Sequence, residues 1–324
     1  MHVILDQYLK ALEVAGRAST ARSNRRVLDR FDAYLRAQGL EDPLQATEER
    51  LRAFQRFLAE DYRRPDTRRA LAKATQATWV SVVKAFYLWA YRRGMLGVDP
   101  ARRLKPPRIV RRKVKADPLD QQETMAFLQT QAQRVATRTH GSRSWAVECR
   151  NLALLALAFA TGRRRESLQD LRVGDLDFTR NEVRVEWEKG QAGRVLPVAA
   201  WAMQLVRPYL EHARPVLLGH GPDPGWIFLG ARTERICGEY LGRLIQALQA
   251  QTVEAHPDLD ELAAKKLSSH STRVTFATVL FRNGADIRGI NELLLHRRLS
   301  TTAKYTPLHV DDLRRACRAA HPRA

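Results

Sequence analysis

Residues that can perform chemistry lie near the end of the chain, in the sequence LLLHRRLSTTAKYTPL at 293–308. His296 precedes Tyr305 by nine residues, with a short Ser/Thr stretch between them. A tyrosine hydroxyl has an ordinary pKa near 10, so at neutral pH it is a weak nucleophile unless other groups neutralise the charge that develops. Whether Tyr305 is a nucleophile or an ordinary half-buried aromatic therefore depends on the rest of the chain.

Three other places carry polar groups that composition does not explain. Gly162 and the arginines at 163–165 follow a long apolar segment. Lys189 lies at the turn of a predicted hairpin, and His270 and Arg273 have the i, i+3 spacing that puts two side chains on one helical face. Taken singly, the arginines indicate a charged helix start and Lys189 indicates a solvated turn residue. The pair of His270 and Arg273 is less easily explained in such terms.

The charge balance indicates a polyanionic partner. The 324 residues are 44% hydrophobic, so the chain can bury a core, and its net charge is +20. Nucleic acid is the expected partner for such an excess. A proteome rich in arginine would explain Arg in place of Lys, but not 55 basic residues against 35 acidic ones. Residues 1–116 carry 26 Lys and Arg against 12 Asp and Glu, a net of +14, which favours this part as the electrostatic clamp.

The cysteines and the N-terminal sequence indicate a protein that works in the reducing interior of the cell. Cys149, Cys237 and Cys317 are far apart and form neither a zinc-binding spacing nor an obvious disulfide framework. The first residues, MHVILDQYLKALEVAG, place charges inside an apolar pattern, which predicts an amphipathic helix and not a signal peptide. We therefore expect a cytoplasmic, nucleoid-associated protein.

Four amphipathic helices are predicted in the first hundred residues, which together make a small bundle. The first spans 2–15. The second begins with Ser19 as its cap and stops at Gly39, the third begins near Thr47, and the fourth ends at Gly94. The following stretch, DPARRLKPPRIVRRKVKADP at 99–118, combines proline with dense positive charge and predicts a solvated basic linker.

The second half of the chain is predicted to be helical with one small sheet. Helices are expected from about 119 and at 144–161, 199–213, 237–251, 271–283 and 286–296, with a last amphipathic helix after Tyr305. The sequence EVRVEWEKGQAGRVLPV alternates on both sides of KGQAG, which predicts a hairpin with Gly190 and Gly193 in its loop. The predicted fold class is mainly α with a small antiparallel β-sheet (α+β).

Four sequence motifs, in the same order, resemble those of the tyrosine recombinases, also called the phage integrase family, and especially its Xer-like members. The motif with the first arginine is ATGRRRESLQDLRVGDLD, and the hairpin with its lysine is EKGQAGRVLPV. HSTRVTFAT resembles the family's H-x-x-R motif, and LLLHRRLSTTAKY has its His-to-Tyr spacing of nine residues. One such motif is weak evidence, but four in family order are strong. Three positions depart from the family pattern: Ser167 replaces a glutamate, Leu295 a glycine and Val274 a histidine.

The resemblance implies an architecture and an activity. It implies a helical core-binding (SAM-like) domain at 1–105, the basic linker at 106–118, and a catalytic domain with a C-terminal tail helix at 119–324. The implied enzyme is a site-specific recombinase that cuts and rejoins duplex DNA through a 3′-phosphotyrosine, with strand exchange through a Holliday junction. It implies no cofactor, no metal and no ATP, because the covalent link conserves the energy of the phosphodiester.

The resemblance also assigns roles to the polar residues. Tyr305 would be the nucleophile, and Arg164 and Arg273 would clamp the non-bridging oxygens. Lys189 would protonate the leaving 5′-oxygen. The two histidines complete the set, with His270 accepting or relaying the tyrosine proton and His296 hydrogen-bonding the phosphate.

DNA contacts and assembly are less closely specified. The candidate DNA-binding residues are basic and lie on the N-terminal helices, in the linker and beside Arg164: Arg25, Arg26, Lys73, Lys84, Arg111, Arg112, Lys113, Arg163 and Arg165. We expect a specific double-stranded site and a DNA-bound tetramer, with or without a partner recombinase. The tail after Tyr305 either docks on a neighbouring subunit or packs on its own domain.

Two other functions remain open at this point. A type IB topoisomerase-like enzyme would use the same chemistry to relax supercoils, whereas a recombinase exchanges strands between two defined sites. A catalytically idle DNA-binding regulator with the same fold is the alternative from another class. The complete set of candidate catalytic residues argues against the idle regulator.

Overall fold

Two compact units make up the chain, Met1–Val114 and Lys115–Ala324. The computed structural model describes residues 1–108, 117–185, 193–230 and 234–295. Within these ranges, no helix has the length and apolar character needed to cross a membrane.

Four helices form the first unit, as predicted. They are α1 (Val3–Val14), α2 (Ala18–Ala37), α3 (Glu48–Glu60) and α4 (Lys73–Arg92). Their apolar stripes meet in one core rich in aromatic rings, where Phe31 packs edge-on against Phe54 and Tyr87. The buried Tyr87 hydroxyl donates to the carbonyl of Pro43 at 2.7 Å, so the one polar atom of this ring is satisfied.

The predicted helix ends differ in accuracy. Thr47 caps α3, since its side chain accepts from the N–H of Arg50 at 3.4 Å. The prediction that Ser19 caps α2 is wrong: the helix starts at Ala18, with Arg17 in the cap position and no side-chain cap bond. The start follows from the tight connection after α1, where Gly16 has φ +70 and the N–H of Arg17 donates to Leu12 O at 2.8 Å.

The stretch predicted as a solvated linker begins inside the first unit. Ala101 and Leu104 are 0% and 2% exposed and belong to the core of the four helices. The Lys84 ammonium donates to the carbonyls of Leu104 at 2.5 Å and Arg102 at 3.4 Å, which holds this segment against α4. The prediction that residues 99–104 belong to the linker was therefore wrong. The prolines and the dense charge indicated a linker, but Ala101 and Leu104 are buried in the core.

The second unit is organised around one buried helix, α6 (Arg143–Thr161). All six residues at 153–158 are 0% exposed, and the helix packs against elements before and after it in the sequence. The other helices are α5 (Gln121–Ala136), α7 (Arg165–Gln169), α8 (Ala200–Pro208), α9 (Arg214–Leu218), α10 (Tyr240–Ala255), α11 (Ser269–Arg282) and α12 (Ile287–Leu293). A π-helical turn at Tyr209–Ala213 joins α8 to α9.

A three-stranded antiparallel sheet accompanies these helices. Its strands are β1 (Leu176–Asp177), β2 (Glu182–Val185) and β3 (Arg194–Pro197), in the order β1-β2-β3. The β2–β3 pairing confirms the predicted hairpin strands, with Val185 opposite Arg194. The two-residue strand β1 was not predicted, because two residues are too few to show an alternating pattern.

An ion pair with a buried carboxylate fixes the start of the second unit beside α11. The Lys265 ammonium lies 2.5 Å and 2.6 Å from the carboxylate oxygens of Glu123 and 3.2 Å from the carbonyl of Pro118. The N–H of Leu119 donates to the Thr275 hydroxyl, on α11, at 2.9 Å. These bonds anchor α11, which carries two of the candidate catalytic residues, to the entry of the chain into this unit.

Candidate active site

The end of α6 positions the first candidate arginine. Gly162 ends the helix in a left-handed conformation, with φ 56, and its N–H donates to Ala158 O at 3.1 Å. A Cβ atom here would lie 2.6 Å from Cδ1 of Phe276, on α11. Glycine is therefore required twice, by the positive φ and by the close approach of α11. This contact brings the arginines that follow Gly162 next to α11.

The three consecutive arginines have different environments. Arg163 is buried, at 5% exposed. Arg164 is exposed and occupies the N-cap position of α7, with extended backbone angles. Arg165 is exposed, and its Nε donates to a carboxylate oxygen of Glu166 at 2.8 Å. A role for Arg163 or Arg165 in DNA contact stays a prediction, and for Arg163 it is a demanding one because its side chain lies inside the protein.

The first turn of α11 presents His270 and Arg273. Ser268 begins the helix: its hydroxyl accepts from the N–H of His270 at 3.2 Å, and its own N–H donates to the Ser271 hydroxyl at 3.1 Å. A reciprocal cap of this kind fixes the phase of the first turn. The phase directs Arg273 inward and leaves His270 exposed.

Arg273 joins two separate segments through its guanidinium. The side chain is 1% exposed, and its Nη1 donates to the carbonyl of Gly162 at 2.8 Å. Its Nη2 donates to the carbonyl of Leu294 at 2.6 Å. One bond therefore ends two residues before Arg164 in the sequence, and the other two residues before His296.

The pKa of His270 responds to the charges of Arg164 and Arg273, so these three described candidates lie near one another. Partial burial lowers the pKa of the His270 imidazole below 6.5, and the charges of Arg273 and Arg164 lower it further. The residue keeps an exposed surface, so water screens these charges in part. The lowered pKa favours the neutral form of the ring, which is the form that can accept a proton.

Other candidates lie outside the described residues. These are Lys189, His296, Tyr305, Arg111, Arg112 and Lys113. The structure does describe segments that flank Lys189 and His296 in the sequence. Val185 and Arg194 flank the sequence that contains Lys189, and Leu295 directly precedes His296.

An ion pair joins these two flanking regions. The guanidinium of Arg194, the first residue of β3, contacts the carboxylate of Glu292, on α12. Both side chains are exposed, at 46% and 66%. No sequence pattern indicates this pair, because its members are 98 positions apart and each is an ordinary surface residue. The two carbonyl partners of Arg273 were also missed, since backbone acceptors carry no residue-type signal.

The remaining candidates lie in the first unit. Arg26 and Lys73 are exposed, and Arg25 donates from both Nη atoms to a carboxylate oxygen of Asp6 at 3.2 Å. The Lys84 ammonium is engaged with backbone carbonyls, as described above. DNA contact by these four residues stays a prediction. Across the described ranges, no group of three or more His, Cys, Asp or Glu side chains could hold a metal ion.

Comparison with known proteins identifies the family. The model of the phage integrase family matches residues 119–312, and that of the phage integrase N-terminal SAM-like domain matches residues 5–94. The chain belongs to the phage integrase family. Within this family it is a Xer-like tyrosine recombinase, an enzyme of site-specific recombination.

Two curated relatives and one solved structure illustrate the similarity. The tyrosine recombinase XerC of Corynebacterium glutamicum is 31% identical over 326 residues, covering 100% of this chain and 93% of that protein. XerD of the same organism is 31% identical over 315 residues, covering 97% and 95%. The XerH recombinase in a pre-cleavage complex with its difH substrate has the same fold, with a TM-score of 0.67, 17% identity and coverage of 99% and 84%.

One departure from the family pattern has a structural consequence in this recombinase. Leu295, where the family usually has glycine, has φ 52, in the left-handed region that costs an L-residue about 1–2 kcal/mol. It follows the last turn of α12 in the position where helices favour glycine. Its side chain packs against the main core of the unit, which offsets part of this cost.

The backbone strain at Leu295 leads to a prediction for two substitutions. Leu295→Gly and Leu295→Ala both remove the packed side chain, but only glycine relieves the strain. We expect the Gly variant to be more stable locally by about 1 kcal/mol, or roughly fivefold in amide hydrogen exchange protection of Leu294. At Leu293, inside α12, the same two substitutions should rank in the opposite order because glycine weakens a helix. Equal protection in the two Leu295 variants would contradict strain at this position.

The pKa of His270 gives a second prediction. An NMR titration of its ring should give a pKa below 6.5, and Arg164→Met should raise that pKa by removing one of the charges that lower it. Arg165→Met, a matched loss of charge next to Arg164, should leave it unchanged. Because the unfolded chain binds this proton more readily, His270 should reduce the stability of the fold as pH falls through 6.5 towards the folded pKa. If the pKa of His270 does not change in Arg164→Met, Arg164 is not one of the charges that lower it.

Proposed function

We propose that this recombinase cuts one strand of a specific duplex site with Tyr305 as the nucleophile. The phenolic oxygen attacks the phosphorus in line, a 3′-phosphotyrosine forms, and the bond to the 5′-oxygen of the next nucleotide breaks. The phenol loses its proton and the leaving oxygen gains one. The phosphotyrosine bond replaces the cleaved phosphodiester bond and conserves its energy, so the step needs no external energy. Attack by a 5′-hydroxyl on the phosphotyrosine reverses it, and exchange of partners between two sites proceeds through a Holliday junction.

The meeting of Arg164, His270 and Arg273 supports this function. These residues come from two elements, the turn after α6 and the first turn of α11, and two positive charges lie within electrostatic reach of one neutral imidazole. Two guanidiniums match the non-bridging oxygens of a phosphate, and loss of one preorganised donor typically costs about 10²–10³ in rate. An anionic phosphate is the ligand that such a site favours.

The remaining roles follow the family resemblance and the chemistry of each group. His270 accepts or relays the tyrosine proton, which requires the neutral form that its surroundings favour. Lys189 donates a proton to the leaving 5′-oxygen, and His296 donates a hydrogen bond to the phosphate. These groups supply proton transfer and charge neutralisation, so the proposed step needs neither a metal nor a cofactor.

We further propose that both units bind duplex DNA through phosphate contacts. We also propose that the protein acts in the cytoplasm. The excess charge of the first 116 residues would make binding steeply dependent on salt. Several solved recombinases of the same fold are DNA complexes, among them a lambda integrase dimer on a core site at 16% identity and a TM-score of 0.61. Assembly into a DNA-bound tetramer, alone or with a partner recombinase, is part of the proposal.

Covalent trapping on DNA tests the nucleophile. Wild-type protein, incubated with fragmented and nicked host DNA and then denatured, should retain DNA fragments, because a nick lets the released strand end diffuse away and blocks rejoining. Tyr305→Phe should retain none, whereas Tyr91→Phe, which alters an exposed tyrosine of the first unit, should retain as much as wild type. Sequencing the trapped fragments would give the site. Attachment that persists in Tyr305→Phe would contradict the proposal, and none in wild type despite tight binding would favour an idle regulator.

Deletion of the tail tests exchange between subunits. The segment at 309–324 is amphipathic in sequence, and we propose that it docks on a neighbouring subunit. Removing it should spare binding to a single site and abolish recombination between two sites, measured as joined products from two labelled duplexes. Recombination at the wild-type rate would show that the tail serves only its own subunit. Relaxation of supercoils without joined products in the full chain would instead favour a topoisomerase-like enzyme.

A further inference from the structure

We propose that the ion pair between Arg194 and Glu292 positions the hairpin of Lys189 for protonation of the leaving group. Both would be positioning residues, acting through Lys189 without touching the DNA. The inference rests on the proposed function, and specifically on Lys189 as the general acid. It concerns a contact that neither the sequence motifs nor the family comparison indicates.

The location of Arg194 makes it a suitable anchor. It opens β3 and pairs with Val185, the last residue of β2, so this pair is the described rung of the ladder nearest to Lys189 in the sequence. Lys189 follows Val185 by four residues and precedes Arg194 by five. Each strand has only four residues, and the end of so short a ladder opens readily without other contacts.

Glu292 provides the other half of the connection. It lies in α12, which Asp286 caps by accepting from the N–H groups of Arg288 at 2.9 Å and Gly289 at 3.4 Å. The same helix ends next to Leu294, whose carbonyl accepts from Arg273. The ion pair therefore connects the hairpin to α12, and the C-terminal end of this helix is hydrogen-bonded to Arg273, which we propose binds the phosphate.

A continuous series of contacts results. It runs from β3 through Arg194 and Glu292 to α12, from Leu294 O to Arg273, and from Arg273 to Gly162 O. The ion pair at one end of this series holds the hairpin, and Gly162 at the other end lies two residues before Arg164 in the sequence. Since a general acid must come within hydrogen-bond reach of its oxygen, the register between hairpin and clamp affects the rate of the step.

The expected size of the effect follows from the exposure of the pair. Solvent-exposed ion pairs contribute little, so we expect a change of at most about fivefold in rate. High salt should reduce the effect by screening. A defect of this size differs clearly from the loss expected when the general acid itself is removed, which is about 10²–10⁴-fold.

A change of leaving group separates positioning of Lys189 from a general structural role. The probe is a nicked duplex carrying the trapped site, made once with the natural 5′-oxygen and once with sulfur in its place at the scissile phosphate. A thiol has a pKa near 8.5 and leaves as the thiolate, so it requires no proton from Lys189. The measured quantity is the rate of covalent complex formation at saturating full-length protein.

The expected results form a consistent set. Arg194→Gln and Glu292→Gln should each slow cleavage of the oxygen substrate by about twofold to fivefold, and the double variant should be no slower than either single variant. On the sulfur substrate all three should match wild type, as should Lys189→Met. Glu211→Gln, which breaks an exposed ion pair of the same unit with Arg207, should be normal on both substrates.

Other outcomes would overturn the inference in distinguishable ways. A defect of equal size on both substrates would mean that the pair supports the fold or DNA binding and not the acid. Normal cleavage of the oxygen substrate by both single variants would remove any role for the pair. If sulfur fails to rescue Lys189→Met, the assignment of Lys189 falls and this inference with it, while covalent attachment through Tyr305 would leave the proposed reaction standing.

Discussion

The buried guanidinium of Arg273 is the interaction on which the candidate active site depends. At 1% exposure its charge has lost its water, and the carbonyls of Gly162 and Leu294 replace part of that solvation. Both carbonyls lie at helix C-termini, where they lack partners within the helix. A guanidinium has five N–H groups, so these two bonds are compatible with further acceptors. Since the group has almost no open surface, a phosphate can reach it only if the atoms that cover it move.

The constraint extends to the backbone of neighbouring elements. For Arg273 to bond to Gly162 O, α11 must approach the end of α6 so closely that a Cβ at Gly162 would overlap Phe276. The same approach brings the N-cap of α7, Arg164, within electrostatic reach of His270. Partial burial and the two positive charges beside it lower the pKa of this imidazole and favour its neutral form. A charge arrangement suited to an anion thus also selects the protonation state that a base requires.

Sequence reasoning succeeded where a signal is local and failed where it is not. The apolar periodicity of α6 and the alternation around Lys189 were sufficient for the helix and for β2 and β3. By contrast, the burial of Arg163 was invisible, because a run of three arginines indicates a charged helix start whatever the surroundings. The pairing of Arg194 with Glu292 depends on how two distant segments pack. The family resemblance named the candidate residues, but it gave no information about the contacts that hold them.

The described part of the site combines a firmly packed region with a weakly packed one. Arg164 follows α6, whose apolar residues belong to the main core of the unit. Helix α12 instead packs in a separate small cluster of Ala277, Ile290 and Leu294 with a few partly buried neighbours. With so little buried apolar surface, its position depends on individual polar contacts, namely Leu294 O with Arg273 and Glu292 with Arg194.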